Sequence, residues 1–144
     1  MSKPKTQEQL DRETDKRLFK KYGVGLPWYN QQLLNQGGGC ALCGSPGKTR
    51  RLHVDHDHKW TQIKVHAEKT SLGNWKAWAE YRGVFYAAVA PKKNDAVREV
   101  KSYLKRDSVR GLLCYQHNKG LQCFQDDSQL LRKAANYIAA HQGF

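Results

Sequence analysis

The pattern of hydrophobic and polar positions predicts two helices at the start of the chain. Residues 6–21 form a charged segment with a thin apolar edge, and Thr6 with Gln9 three residues later has the spacing of a capping box. Residues 27–36 form the second helix, with Pro27 in its first turn and a run of three glycines as its stop signal. We expect both helices to contribute packing, and we assign them no chemistry.

Alternation of apolar and polar positions predicts strands further along the chain. The predicted strands are residues 50–56, 59–68, 83–90 and 109–114. Residues 71–81 are rich in aromatic side chains, and their pattern fits a helix or an irregular loop. Strands and helices together place the chain in the α+β class.

Two more helices are predicted in the second half. Residues 95–105 form an amphipathic helix after a turn that contains Pro91. In residues 129–141, apolar side chains recur at helical spacing, and Asp126-Asp127-Ser128 supplies the N-cap. No internal repeat and no low-complexity tract interrupts this organisation.

Composition limits the size of the core. The chain has 144 residues, of which 39% are hydrophobic, and a mean hydropathy of -0.82, so a single small domain with a modest core is expected. Such a core often needs a metal or a disulfide for stability. The sequence has no apolar run of transmembrane length and no signal-peptide core after Met1, so we expect a cytoplasmic protein without a membrane partner.

The net charge of +12 favours a polyanionic partner. Residues 59–110 carry twelve basic against five acidic side chains and so hold most of this excess. Large flat side chains lie among them, which suits packing against bases and sugars. The alternative is a charged surface that only keeps the protein soluble. These aromatic residues are Trp60, Trp75, Trp78, Tyr81, Tyr86 and Tyr103.

Two short motifs predict a structural zinc site. Cys40 and Cys43 are separated by two residues, and Cys114 and His117 repeat that spacing. Two such pairs can hold one tetrahedral Zn²⁺ ion, whereas a single pair is also compatible with a redox dithiol. Cys123 is left over, and we expect it to pack in the core.

The sequence Val54-Asp55-His56-Asp57-His58 is the candidate catalytic segment. In a strand, alternation places the two aspartates on one face and the two histidines on the other. A residue able to bind a divalent cation therefore lies beside one able to accept a proton. His53 and His66 have no neighbours that suggest such a role.

Three segments together resemble the phage recombination endonuclease VII family, which lies within the HNH, or His-Me finger, nucleases. They are residues 38–44 (GGCALCG), 54–58 (VDHDH) and 109–114 (VRGLLC). The tail from Gly120 to Asp127, followed by an amphipathic helix, is also similar, so the resemblance covers roughly residues 20–58 and 109–140. Family members usually have a cysteine at the position of His117, and their two halves lie closer together in sequence.

The resemblance implies a small zinc-stabilised ββα-metal core with flanking helices and a basic α/β insertion. We expect residues 40–58 and 109–128 to form this core, with the strands that end at His56 and Cys114 antiparallel or adjacent. An N-terminal helical segment (1–39) and a C-terminal helix (129–144) flank it. Residues 59–108, here called the insertion, are a candidate DNA-contacting part.

The resemblance also assigns roles to site residues. His56 would be the general base in phosphodiester hydrolysis, and Asp55 with Asn118 would hold one catalytic Mg²⁺ or Mn²⁺. His58 would contact the phosphate or orient the site, and Asp57 would orient a histidine or only solvate a turn. The residues expected to contact DNA are Lys59, Trp60, Lys64, Lys76, Arg82, Lys92, Lys93, Arg110 and Lys119.

These features predict a metal-dependent DNA endonuclease. The resemblance implies a phage-derived enzyme that acts in the host cytoplasm, and two classes of substrate stay open. One is a branched DNA junction, and the other is a particular duplex sequence, as cut by a homing or nicking enzyme. The alternative is a zinc-stabilised DNA-binding module without catalysis, and a zinc-stabilised protein-interaction domain is a further one. Either a monomer or a homodimer fits the sequence.

Overall fold

The computed structural model describes residues 1–47 and 50–143, in which two separate antiparallel sheets and five α-helices form an α+β fold. Phe144, at the end of the predicted C-terminal segment, lies outside this range. The helices are α1 (Gln7–Tyr22), α2 (Leu26–Asn35), α3 (Lys93–Asp107), α4 (Tyr115–Cys123) and α5 (Ser128–His141). The strands are β1 (His53–His56), β2 (His66–Lys69), β3 (Trp75–Tyr81), β4 (Val84–Ala90) and β5 (Val109–Leu113).

Both N-terminal helices form as the sequence predicts. Thr6 and Gln9 make the reciprocal hydrogen bonds of a capping box at the start of α1. Gly23 ends that helix in the left-handed region at φ 73°, and its N–H donates to the carbonyl of Phe19. The carboxylate of Asp15 then accepts from the N–H of Leu26 at 2.6 Å, which joins α1 to the start of α2.

The first sheet consists of β1 and β5, which pair antiparallel as expected. Val54 lies opposite Leu112 and Asp55 opposite Gly111, and the register then shifts between Asp55 and His56. Such a shift changes the direction in which the following side chain points. Beneath the sheet, α1 and α2 close one hydrophobic core, whose buried members are Leu18, Tyr29, Cys40, Leu52, Val54, Leu112 and Leu113.

The outer edge of β5 is paired with a side chain. The Oε1 atom of Gln36 accepts from the N–H of Leu112 at 2.9 Å, and its Nε2 atom donates to the carbonyl of Leu112 at 2.9 Å. A Cβ atom on Gly111 would lie 3.0 Å from this Oε1 atom, so the close approach favours glycine there. The amide of Gln36 thus takes the place of a neighbouring strand.

The second sheet has the order β2-β3-β4 and carries α3 across one face. A two-residue turn, Arg82-Gly83, joins β3 to β4 with both residues at positive φ, the conformation that suits a tight hairpin. This face holds a second hydrophobic core, separate from the first. Its buried members are Ala77, Ala79, Tyr81, Tyr86, Ala88, Ala96, Val100 and Leu104.

Two predictions in the insertion were wrong. Residues 59–68 do not form one strand: a 3₁₀ helix runs from His58 to Gln62 and a short strand, β2, follows. The carboxylate of Asp57 accepts from the N–H of Lys59 and begins that helix. Residues 71–81 are neither helix nor loop over most of their length, because β3 occupies Trp75–Tyr81 with alanines on its buried face.

The other predicted helices and strands are present with ends within two residues of the prediction, except that β1 begins at His53 and not at residue 50. The last helix, α5, begins with Asp127 accepting from the N–H groups of Gln129 and Leu130. It has no buried side chain. None of the described helices is both long enough and apolar enough to cross a membrane.

Candidate active site and metal cluster

The two short motifs meet at one place, as their spacing predicts. Cys40 and Cys43 lie in the loop after α2, Cys114 is the N-cap of α4, and His117 lies in its first turn. One ligand atom from each of these four residues lies within 4.8 Å of all the others. The Sγ atoms of Cys43 and Cys114 are 4.0 Å apart, which is far from the length of a disulfide bond.

The donor set of this cluster fits a tetrahedral zinc ion. Three thiolates and one imidazole are the ligands that structural zinc prefers, and four protein ligands leave no open position. The Sγ atom of Cys114 lies 3.2 Å from Nδ1 of His117, and that of Cys40 lies 3.8 Å from it. Burial alone would raise the pKa of the Cys40 thiol, but neighbouring N–H groups and His117 lower it to about 6.

Cys123 does not belong to the cluster and does not pack in the core. Its side chain is exposed near the end of α4, so the prediction of a core position was wrong. Cys123 is the last residue of α4, and the apolar Phe124 that follows it is only partly buried.

The two histidines of the catalytic segment lie side by side at the end of β1. Their ring centroids are 4.3 Å apart, and the edge of Tyr22 approaches the His56 ring at 5.3 Å. The bulge between Asp55 and His56 lies directly before them. Burial and the neighbouring His58 lower the pKa of His56, so its imidazole is neutral and able to accept a proton near neutral pH.

Asp55 is buried and shares an arginine with a second carboxylate. Arg110 donates to both oxygens of Asp55, at 2.7 and 2.9 Å, and to Asp126 at 2.9 Å. These two carboxylates raise the pKa of Arg110 above its ordinary value. Gln125 and Asp126 both have positive φ, which non-glycine residues rarely adopt. This turn before α5 places the Asp126 carboxylate where it accepts from Arg110.

Asp57 faces away from the histidines and into the insertion. Its Oδ2 atom accepts from the hydroxyl of Tyr81 at 2.9 Å and from Arg82 at 3.2 Å. Burial would raise the pKa of Asp57, but the Lys59 N–H, Tyr81 and Arg82 together lower it. The expectation that Asp57 orients a histidine or only solvates a turn is therefore replaced by a structural role: it joins β1 to β3.

A cleft of about 410 Å³, lined by polar residues, opens beside His58. It lies between the 3₁₀ helix, the end of α4 and the turn before α5. Asn118 is half-buried in the first half of α4, which packs against both β1 and β5. The cleft is lined by His58, Lys59, Gln62, Gln122, Gln125 and Asp126.

The residues expected to contact DNA fall into two groups. Lys59, Lys64, Lys76, Lys92, Lys93 and Lys119 have side chains that reach solvent, and Lys93 and Lys119 each lie over an aromatic ring. Three others are engaged within the protein. Arg82 and Arg110 pair with carboxylates, and Trp60 packs against the core of the insertion with the ammonium of Lys105 over its ring.

Reasoning from the sequence missed three site residues: Arg110 as a carboxylate partner, Asp126 and Tyr81. Each acts through a contact between distant parts of the chain, such as the 55 positions that separate Asp55 from Arg110. No local pattern marks such a pair.

The fold and the site define an α+β protein with a Cys₃His metal cluster and a histidine-bearing strand end beside a cleft. The comparison with family models agrees: the model described as recombination endonuclease VII matches residues 15–140. The chain belongs to this family, so it is a DNA endonuclease by family, and DNA is its substrate class. Neither the curated proteins nor the solved structures with which the chain was compared include a match.

Proposed function

We propose that this endonuclease hydrolyses the phosphodiester bond with His56 as general base and one divalent cation bound at Asp55 and Asn118. The observation that carries the proposal is the position of His56 at the bulged end of β1, next to the buried carboxylate of Asp55 and in contact with His58, which lines the cleft. Its lowered pKa keeps the ring neutral. A neutral imidazole can take the proton of an attacking water molecule.

The oxygen donors suit a hard cation such as Mg²⁺ or Mn²⁺, which would neutralise charge on the phosphate and on the leaving oxygen. In the structure both oxygens of Asp55 accept hydrogen bonds from Arg110. Arg110 thus holds the carboxylate in a fixed orientation through two hydrogen bonds. Asn118 is placed next to the metal cluster, one residue after His117.

We assign the Cys₃His cluster to structural Zn²⁺. The ligands come from the loop after α2 and from the start of α4, so an ion there joins the two halves of the core. Cys114 directly follows β5, which itself pairs with β1. The cluster thereby fixes α4, and with it Asn118, relative to the strand that carries His56.

His58 and Lys59 are the proposed phosphate contacts in the cleft. Both side chains are exposed there, and both can donate hydrogen bonds to phosphate oxygens. This placement is compatible with the phosphate lying next to His56, because the rings of His56 and His58 are in contact.

The test is cleavage of a supercoiled plasmid by the wild type, by His56→Ala and by His53→Ala, each with Mg²⁺ and with EDTA. His53 lies in the same strand and has no assigned role, so it is the matched control. We expect Mg²⁺-dependent nicking by the wild type and the control, and a loss of about 10²–10⁴-fold in rate for His56→Ala.

Equal activity of His56→Ala and wild type would contradict the assignment of the base. Cleavage that persists in EDTA would contradict the proposal that catalysis requires a divalent cation. Binding of DNA without cleavage of plasmid or of a synthetic four-way junction by the wild type would favour a non-catalytic DNA-binding module.

A further inference from the structure

The outer face of the second sheet is open to solvent. Because α3 covers only the inner face, side chains that alternate with the buried alanines of β3 and β4 point away from the protein. We call this set the outer sheet face. It consists of His66, Glu68, Lys76, Trp78, Glu80, Phe85, Ala87 and Val89.

This face combines flat rings, methyl groups and a few polar ends. His66 stacks on Trp78 with a centroid distance of 5.5 Å and an interplanar angle of 18°. Phe85 and Val89 are 62% and 58% exposed, so this face presents large apolar side chains to solvent next to the Trp78 ring. Among the described residues, Lys76 takes part in no ion pair, although Glu68 lies opposite it in the register.

We propose that the outer sheet face lies in the DNA major groove and reads base edges, so that this endonuclease is sequence-specific. The inference rests on DNA as the substrate and deepens the proposed function. The strands β3 and β4 carry six of the eight residues of this face, and an antiparallel pair of strands fits the major groove, which is about 12 Å wide. Lysine donates to guanine, carboxylates accept from cytosine, and apolar groups contact the thymine methyl, and the face offers all three.

Charge complementarity identifies DNA as the occupant in preference to an apolar protein partner. Residues 59–108 carry eleven basic and five acidic side chains. The ribbon ends are basic: Lys92 and Lys93 follow β4 at one end, and at the hairpin turn the Arg82 side chain stays 47% exposed beside its ion pair with Asp57. Phosphates line both sides of the groove, so basic groups at the ends of a less charged central face match its pattern.

The connection between the sheet and the catalytic strand gives the proposal a second consequence. Tyr81 and Arg82, at the end of β3, both bind the carboxylate of Asp57, which directly follows His56. The backbone N–H of Asp57 also donates to the carbonyl of Ser108, the residue after α3. The reading surface is thus held at a fixed position relative to His56, and cleavage occurs at a constant offset from the recognised bases.

The first experiment selects bound duplexes from a randomised pool with full-length His56→Ala protein. We expect an enriched base pattern several positions long. Cleavage of a duplex containing that pattern by the wild type should then map to one offset from it. A pool without enrichment, or enrichment with cuts scattered along the duplex, overturns the proposal.

Matched pairs of variants locate the reading surface. Lys76→Gln and Phe85→Ala change the outer sheet face. As controls elsewhere in the insertion, Lys101→Gln on the exposed side of α3 makes the same change of charge, and Leu72→Ala in the β2–β3 loop also truncates an exposed apolar side chain. We expect each sheet variant to lower the affinity ratio of selected to scrambled duplex by about tenfold. The controls should lower both affinities equally or leave them unchanged.

An unchanged ratio in both sheet variants, or a loss in Lys101→Gln of the same size, overturns the assignment. Circular dichroism and thermal unfolding verify that every variant is folded. These readouts measure binding, so they are independent of the plasmid assay. If the protein does not cleave DNA, the binding measurements can still be interpreted. If it binds without sequence preference, the assignment as a nuclease still stands.

Discussion

At the scale of single residues, the carboxylate of Asp57 determines how two parts of the chain meet. It is buried at 9% exposure and accepts from Lys59, Tyr81 and Arg82. Three donors compensate for the loss of solvent around a charge that would otherwise be costly to bury. The same interaction raises the pKa of the Tyr81 hydroxyl to about 12, through burial and through its bond to Asp57.

Ionisation of Tyr81 should therefore lower the stability of the folded protein at alkaline pH. The unfolded chain releases this proton near pH 10 and the folded chain near about 12, so the folded state holds more protons between these values. Stability should fall as pH rises through that window, by about 2–3 kcal/mol for this one group. Urea unfolding of wild type and Tyr81→Phe at intervals from pH 8 to 12 measures it.

In the phenylalanine variant this decline should be missing. At pH 8 the variant should be less stable by about 1 kcal/mol, because the hydrogen bond to Asp57 is lost. The gap between the two proteins should close above pH 10 and reverse towards pH 12, because the wild type loses more stability than this hydrogen bond contributes. A gap that stays constant across the whole range would show that the hydroxyl does not titrate in this way.

The metal cluster can be tested with a pair of cysteines. Cys40→Ser removes a ligand from the cluster, whereas Cys123→Ser changes an exposed cysteine on α4. We expect the first to lose bound zinc and at least about 3 kcal/mol of unfolding free energy, and the second to keep both. Zinc content by atomic absorption and urea unfolding are the measurements. A stable, metal-free Cys40→Ser protein would rule out a structural ion.

At the scale of elements, α5 contrasts with the rest of the fold. It has no buried side chain, and Leu130, Tyr137 and Ile138 are 40%, 68% and 52% exposed. A helix that buries so little contributes little to the stability of the monomer.

We expect a chain that ends at Asp127 to fold as well as the longer chain that includes α5. Such a protein keeps Asp126, the partner of Arg110, and loses only α5 and the residues after it. The change in unfolding free energy should stay within about 0.5 kcal/mol. Thermal unfolding followed by circular dichroism checks this. A drop of several kcal/mol would mean that α5 packs against the core more closely than its exposure indicates.

The elements differ in how well the sequence predicts them. The two N-terminal helices carry their own cap signals, Thr6 with Gln9 and the glycines that follow each helix, and both form as predicted. In β3 the buried positions Ala77 and Ala79 are small, so the aromatic residues beside them dominate the pattern and hide the alternation. The break after His56 depends on the Asp57 side chain, which periodicity does not register.

Some residues of the candidate site could be predicted from the sequence and others could not. Spacing alone could group the four ligands Cys40, Cys43, Cys114 and His117. A tetrahedral zinc ion takes four ligands, and each pair, with two residues between its members, can supply two of them. The pairing of β1 with β5 was also expected, from a zinc ion shared by both pairs and from the family resemblance, and it is present. The contacts of Arg110 with Asp55 and Asp126 could not be predicted, because they depend on how β5 and the turn before α5 meet in space.

At the scale of the whole molecule, the described residues contain two separate hydrophobic cores. One lies between α1, α2, β1 and β5 next to the metal cluster, and the other lies between α3 and the sheet β2-β3-β4. Only the first shares residues with the cluster: Cys40 is one of its buried members. Metal removal should therefore affect the two cores differently.

Chelation of zinc should expose the first core and spare the second. In hydrogen–deuterium exchange with and without a strong chelator, we expect the amides of β1 and β5 to lose protection while those of β3, β4 and α3 keep most of theirs. The Cys123→Ser protein serves as the control for chemical effects on thiols. Simultaneous loss of protection in both cores would indicate that the molecule unfolds as one cooperative unit.

The pairing of Gln36 with β5 has a consequence for solubility at high concentration. A two-stranded sheet normally offers two free edges, and each is a template on which another chain can add a strand. On β5 that template is blocked, since the Leu112 N–H and carbonyl are bound to the Gln36 amide and the carbonyl also accepts from Ala41. Gln36, the residue after α2, thus prevents another molecule from adding a strand to β5 and so opposes aggregation through this apolar strand.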